Sequence, residues 1–207
     1  MGIAQYNKKG MYTGYDKNNK EREALDYYST PTEEVENILS IIKIDGSILE
    51  PCAGGGHMLK GIYNIIPNAN VIATDIKDRG CKDYDIKTGK DYDFISDNYP
   101  ISNIDYIVMN PPYSVIEPFV MKALSIADKG VLVLGRLQFL EGEKRFKTIF
   151  SDNPPTDVYV YVDRISCYKN GDTKQKMAST QAYAWFYWDL NNNHSTQLHW
   201  IRRFDKK

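Results

Sequence analysis

Apolar positions along the chain follow two rhythms, and the rhythm changes at points where the residue types also change. Val35, Ile38, Leu39 and Ile42 recur at helical spacing. Thr30 stands before them as an N-cap, Pro31 takes the first helical position and Glu33 completes a Thr-x-x-Glu capping box. A short strand is predicted over residues 47–50, running into Pro51-Cys52-Ala53-Gly54-Gly55-Gly56, with a helix over about 57–66 after it. Residues 70–74 read as the second strand, ending at Asp75. Residues 77–92 are charged and glycine-containing, without a helical pattern. Residues 93–95 give a weak third strand or its end. The continuous apolar run 104–109 has the character of a buried fourth strand, and it stops at Asn110. A helix follows over 116–127, with Ile116, Phe119, Val120 and Leu124 on one side. Residues 131–134 make a fifth strand and 139–150 a charged amphipathic helix. Residues 157–162 and 183–188 make two more strands.

Strands alternating with helices predict an α/β fold, with a mostly parallel seven-stranded sheet covered on both faces. The last two strands are joined by a polar loop of nearly twenty residues with no helical pattern. They suit an antiparallel pair at the sheet edge. Residues 1–28 are polar and Lys/Asn-rich and read as a flexible arm. Residues 29–190 form one domain, and 191–207 a short C-terminal extension. No separate target-recognition domain and no internal repeat is visible.

With 207 residues, a single domain buries about 70% of its unfolded surface, so a real core is expected. The formal net charge is −1, which excludes a global field pulling the protein onto nucleic acid. Phosphate contacts must then come from local patches. Arg136 after the fifth strand, Lys144, Arg145 and Lys147 on the next helix, residues 164–176 and the tail cations Arg202, Arg203, Lys206 and Lys207 are the candidates. Lys8, Lys9, Lys17 and Lys20 of the arm, interleaved with tyrosines, are another. Cys52, Cys81 and Cys167 have no C-x-x-C spacing, which points to a reducing, cytoplasmic setting. They form no ligand pattern with His57, His194 and His199, so no metal site is expected. There is no apolar run of membrane-spanning length and no secretory signal.

The chemistry concentrates at predicted strand ends, where open α/β sheets bind ligands. Gly54-Gly55-Gly56 lets backbone approach a ligand closely. Glu50, ending the first strand, suits a cationic ligand better than a pyrophosphate. Asp75 is placed to accept hydrogen bonds from a ribose diol. Asp93-Phe94 can hold an adenine, the carboxylate accepting from its amine and the ring stacking. Asn110-Pro111-Pro112-Tyr113 closes the fourth strand with an amide, two rigid prolines and an aromatic ring, a set suited to clamping a flat ring that carries an amino group. The second Asn-Pro-Pro, at 153–155, lacks the aromatic residue and precedes its strand, so it reads as a loop.

With these motifs over residues 27–190, the chain resembles the class I S-adenosylmethionine-dependent methyltransferases. Within them it is similar to the amino-methylating group with an Asn-Pro-Pro-Tyr motif. The resemblance implies the Rossmann-like class I fold and S-adenosylmethionine as cofactor. Residues 50–56 then look like the cofactor motif (Glu50, Pro51, Cys52, Ala53, Gly54, Gly56), with Asp75, Asp93, Phe94 and Asn110 as further contacts. Tyr28-Ser29-Thr30-Pro31 looks like the segment that contacts the methionine end, making Thr30 and Pro31 cofactor residues. Residues 139–142 with Arg145, and 181–186, are similar to small phage-encoded DNA adenine methyltransferases. That likeness implies double-stranded DNA as partner, in the cytoplasm of a bacterial or phage-infected cell.

The catalytic expectation follows from the nucleophile. An adenine amine is a poor one, its lone pair delocalised into the ring. The Asn110 oxygen and the Pro111 carbonyl can each accept one of its hydrogens, aim the lone pair and stabilise the positive charge that grows on nitrogen. Pro112 shapes the turn, and Tyr113 would stack on a base taken out of the duplex. An RNA base, a protein glutamine, or a non-catalytic cofactor-binding role stay open alternatives.

Overall fold

The computed structural model describes residues 27–165, 167–169, 181–192 and 194–203. The predicted arm up to residue 26, most of the basic loop 170–180 and the terminal lysines lie outside the described residues.

In chain order, β1 (Tyr28–Ser29) leads into α1 (Thr32–Ile41), β2 (Ser47–Glu50), α2 (His57–Ile65), β3 (Asn70–Asp75) and β4 (Ile86–Thr88). Then follow β5 (Ile104–Met109), α3 (Ile116–Ile126), β6 (Ala127–Arg136) and the short α4 (Glu143–Arg145). β7 (Asp157–Tyr161), β8 (Tyr168–Lys169), β9 (Tyr183–Asp189) and β10 (Gln197–Ile201) complete the chain. Eight strands form one sheet in the order β10-β7-β9-β6-β5-β2-β3-β4, and β1 pairs with β8 in a separate two-stranded ribbon. Every pairing in the large sheet is parallel except those of β9, which runs against both β6 and β7.

The central strands read as continuous apolar runs because both faces are covered. Side chains alternate between them. Val131, Val133, Phe186 and Trp188 face the layer that holds α3, with Ile107, Met109, Phe119 and Phe139. Leu132, Leu134, Trp185 and Tyr187 face the layer of α1, with Val35, Ile38, Ile48 and Val108. α1 packs tightly on α2 because Gly61 carries no side chain: a Cβ there would lie 2.6 Å from the Val35 Cβ. The Thr32 hydroxyl also donates to the His57 carbonyl at 3.3 Å. The buried Glu34 carboxylate pairs with Arg203 at 2.6 Å, so the segment after β10 is tied to α1.

The expected α/β fold is present, with four local differences. The sheet has an eighth strand, β10, outside the antiparallel pair β7–β9, so that pair sits one strand in from the margin. The third predicted strand lies earlier, as β4 at Ile86–Thr88, and Asp93-Phe94 occupies the turn after it. The predicted helix 139–150 is broken at Gly142, whose φ of +124° suits only glycine, and it continues past α4 as a π turn over Phe146–Phe150. Finally, α1 has no side-chain cap: Pro31 is its N-cap residue and the Thr30 hydroxyl is engaged elsewhere. The second Asn-Pro-Pro is a loop, as expected.

Phe186 is fully buried and meets the Phe139 ring edge-on at 5.2 Å. Phe186→Ala is expected to cost about 3–5 kcal/mol, read as a lower urea midpoint with an unchanged m-value.

Candidate functional site

The sheet turns back on its own order between β2 and β5: β3 and β4 lie to one side, β6 and the later strands to the other. At such a switch point the loops leaving the two strands diverge and open a crevice above their carboxyl ends. β2 ends at Glu50, and β5 runs directly into Asn110. Leu49 stands opposite Ile107 in the ladder, so those two strand ends are neighbours. A cavity of about 990 Å³, open solvent at its mouth included, lies here. It is lined by Thr30, Glu50, Pro51, Cys52, Ala53, Asp75, Asp93, Phe94, Asn110 and Pro112 among the expected residues.

The floor is the turn from β2 into α2. Gly54 (φ +55°) and Gly56 (φ +81°) adopt left-handed backbone there, a conformation that favours glycine. The Gly54 N–H donates to Asp75 Oδ2 at 2.8 Å, and the Lys77 N–H donates to Asp75 Oδ1 at the same distance. Asp75 therefore fixes the glycine turn against the end of β3 while keeping further lone pairs for a ligand. Tyr27 crosses the turn: its hydroxyl accepts from the Gly55 N–H at 2.8 Å, and the Arg79 guanidinium lies 4.4 Å from its ring centroid.

Glu50 is 2% exposed, and its Oε2 has no hydrogen-bond partner. Burial, and then the nearby Asp75, hold its carboxyl well above the usual carboxylate range. Burial likewise raises Asp75. The Cys52 thiol is pushed up by burial and by both carboxylates. This end of the cavity is acidic and desolvated, and no cation among the described residues pairs with Glu50. Farther along, Phe94 contributes a buried ring that meets Tyr99 edge-on at 5.1 Å and Phe119 at 5.2 Å.

Asn110 has the most informative geometry. Its Nδ2 donates to the Tyr28 carbonyl at 3.1 Å and to the Thr30 hydroxyl at 2.9 Å. A carbonyl can only accept, so the nitrogen must be the amide atom facing it. Both amide hydrogens are thereby used, and Oδ1 is buried with no partner.

The structure brings Asn110 and Pro112 to the cavity but not Pro111 or Tyr113. Pro111 is buried. The Tyr113 ring lies in a separate cluster: 5.9 Å from Tyr28, 6.0 Å from Tyr183, with the Arg136 guanidinium 4.3 Å from its centroid and the hydroxyl toward the Cys167 sulfur. One face of the expected stacking ring is thus covered. Pro31, Gly54 and Gly56 support the cavity without lining it. Tyr27, Lys77, Arg79, Tyr92 and Phe119 line it without having been expected. Tyr27 adjoins the Tyr28–Pro31 segment, which could have flagged it; Arg79 lies in a charged stretch with no periodicity.

No protein-family model matches the sequence, and no curated protein matches it. Solved structures do resemble the fold. The methyltransferase subunit of a type I restriction-modification system from Streptococcus thermophilus superposes with a TM-score of 0.60 at 12% identity, over 84% of this chain and 47% of that one. A Pyrococcus horikoshii protein assigned as an RNA methyltransferase gives 0.59 at 20% identity, over 81% and 88%. A Listeria monocytogenes protein assigned as a class I S-adenosylmethionine-dependent methyltransferase gives 0.57 at 13% identity, over 94% and 69%. The chain spans about half the length of the first of these. At such identities the likeness establishes the fold: the Rossmann-like α/β architecture that these proteins share.

Glu50 supplies a pH-dependent prediction. Its carboxyl ionises less readily in the fold than in the unfolded chain, so its contribution to stability is complete below the ordinary carboxylate value of about 4.5 and is lost as the pH rises through its raised value. Glu50→Gln has no such loss. The ligand-free variant should gain urea midpoint relative to wild type between pH 4.5 and pH 8; parallel profiles would contradict a carboxylate held desolvated at this place.

Proposed function

We propose that this chain is an S-adenosylmethionine-dependent methyltransferase that modifies the exocyclic amine of adenine in DNA. The observation that carries the reading is the Asn110 oxygen, buried and partnerless at a cavity wall while its own amide hydrogens are tied back to the protein. Such an acceptor suits an incoming N–H donor, and an NH2 group supplies one.

The residues present fit the cofactor. Glu50 offers a buried acceptor oxygen with no hydrogen-bond partner, suited to a cation. Asp75 can accept from a ribose diol beside the glycine turn, and Asp93 with Phe94 from an adenine. When bound, S-adenosylmethionine supplies an electrophilic methyl group on a cationic sulfur.

The protein's own part is binding, orientation and charge stabilisation. Asn110 Oδ1 takes one N–H of the amine; Pro112 lines the wall beside it, whereas Pro111 is buried behind it. The nitrogen is drawn toward a pyramidal shape with its lone pair free. As positive charge develops on it, an acceptor that is already oriented needs no reorganisation, and in a desolvated wall its effect is larger than in water. No base is needed beforehand, because the N–H proton becomes acidic only as the new bond forms. Adenine must leave the helix stack to reach the wall.

The experiment is to incubate the protein with labelled S-adenosylmethionine and separate DNA, RNA and protein pools, then digest the labelled pool. The expected product is an N-methylated adenine nucleoside from DNA. Label in RNA or in glutamine would move the substrate and keep the chemistry; label in none would overturn the reading. Asn110→Ala is expected to lower single-turnover transfer by about 3–4 kcal/mol of transition-state stabilisation, with S-adenosylhomocysteine affinity nearly retained.

A further inference from the structure

We infer that Arg136 binds a phosphate of the nucleotide strand beside the target amine, and so selects a nucleic acid over a protein amide. The inference rests on the reading above, that the Asn110 wall receives a base amine.

Arg136 ends β6, the strand next to β5 on the side away from β2, so it stands at the same carboxyl rim as Asn110. Its guanidinium lies against the Tyr113 ring, and that ring adjoins Tyr28, whose carbonyl holds the Asn110 amide. The Tyr183 ring packs on the same Tyr113 ring, 6.0 Å between centroids. These partners are all neutral. Burial raises both phenols, and it pushes the Cys167 thiol up to about 12. The Arg136 Nε is buried and has no acceptor.

Among the described residues no carboxylate pairs with Arg136, whereas Lys129, Lys144, Lys147 and Arg203 each have one. A half-buried guanidinium with no carboxylate partner among the described residues is poised for an anion. A phosphate can meet it with two oxygens. A nucleotide strand carries one phosphate per residue, within a few ångströms of each base; a glutamine side chain carries none. The net charge of −1 leaves such local cations to provide the attraction.

The contact also explains the covered face of Tyr113. The guanidinium stacks on the ring, so one side chain both holds the aromatic wall and keeps a positive charge at the rim.

The test uses the full chain saturated with S-adenosylhomocysteine, binding fluorescent adenine-containing oligonucleotides over a salt series. Arg136→Gln keeps a polar side chain beside Tyr113 and removes the charge. It should weaken binding about tenfold and lower the slope of log affinity against log salt by about 0.7–0.9, the loss of one phosphate contact. A series of oligonucleotides with a single uncharged methylphosphonate linkage locates the contact. One linkage next to the target adenine should weaken wild type and leave Arg136→Gln indifferent. Equal sensitivity of both proteins at every linkage, or an unchanged slope, overturns the inference. If Arg136→Gln fails to fold, Arg136→Lys serves: it should keep the sensitivity at that one linkage and bind more weakly, and sensitivity lost there would overturn the proposal. Wild-type methyl transfer is measured alongside. Transfer to DNA with an unchanged slope removes the role of Arg136 alone; transfer to glutamine peptides and not to nucleic acid removes the proposed substrate as well.

Discussion

The site depends on how one side-chain amide spends its hydrogens. Asn110 gives both to the Tyr28–Thr30 segment, one to a main-chain carbonyl and one to a hydroxyl, and so turns its oxygen away from the protein's own donors. Leaving a buried acceptor unpaired costs about 1–3 kcal/mol. The surrounding fold holds that arrangement in place. β1 pairs with β8, α1 follows immediately and packs on α2 through Gly61, and α2 begins where the glycine turn ends. The same segment therefore sets the Asn110 amide and the position of the cavity floor.

Around that amide the charges are segregated. Glu50 and Asp75 make one end of the cavity acidic and poorly solvated, and no cation among the described residues pairs with Glu50. The Tyr28, Tyr113, Tyr183 and Arg136 cluster lies on the other side of Asn110 and carries a positive charge that no carboxylate among the described residues pairs. A cationic small molecule and a polyanion would each meet the side that complements it. Two ligands of opposite charge could then approach one polar atom from different directions.

Much of this was legible in the residues. The apolar runs at β2, β3, β5 and β6 placed the strands because burial on both faces leaves no polar alternation to confuse them. The acidic and amide residues at their carboxyl ends placed the cavity. β10 was not legible, because its large apolar residues Leu198 and Trp200 are 51% and 68% exposed and Ile201 alone in the strand is buried. The role of Thr30 was misread for a local reason. A Thr-x-x-Glu box before a helical pattern predicts a cap, but the hydroxyl is taken by a residue eighty positions away, and short-range spacing is blind to such a partner. The covering of Tyr113 by Arg136 also lies beyond local spacing, joining the turn after β5 to the end of β6. Tyr27 and Arg79 meet only across the folded glycine turn.

The most direct measurement is hydrogen exchange of the Asn110 side-chain amide, followed by NMR in the nitrogen-labelled protein. Two resolved protons, both protected from exchange, with protection of one lost selectively in Thr30→Val, are the expected result. Two protons exchanging as freely as those of a solvent-exposed asparagine would show that the amide is not tied to Tyr28 and Thr30, and the oxygen would then have no fixed direction in which to hold an amine.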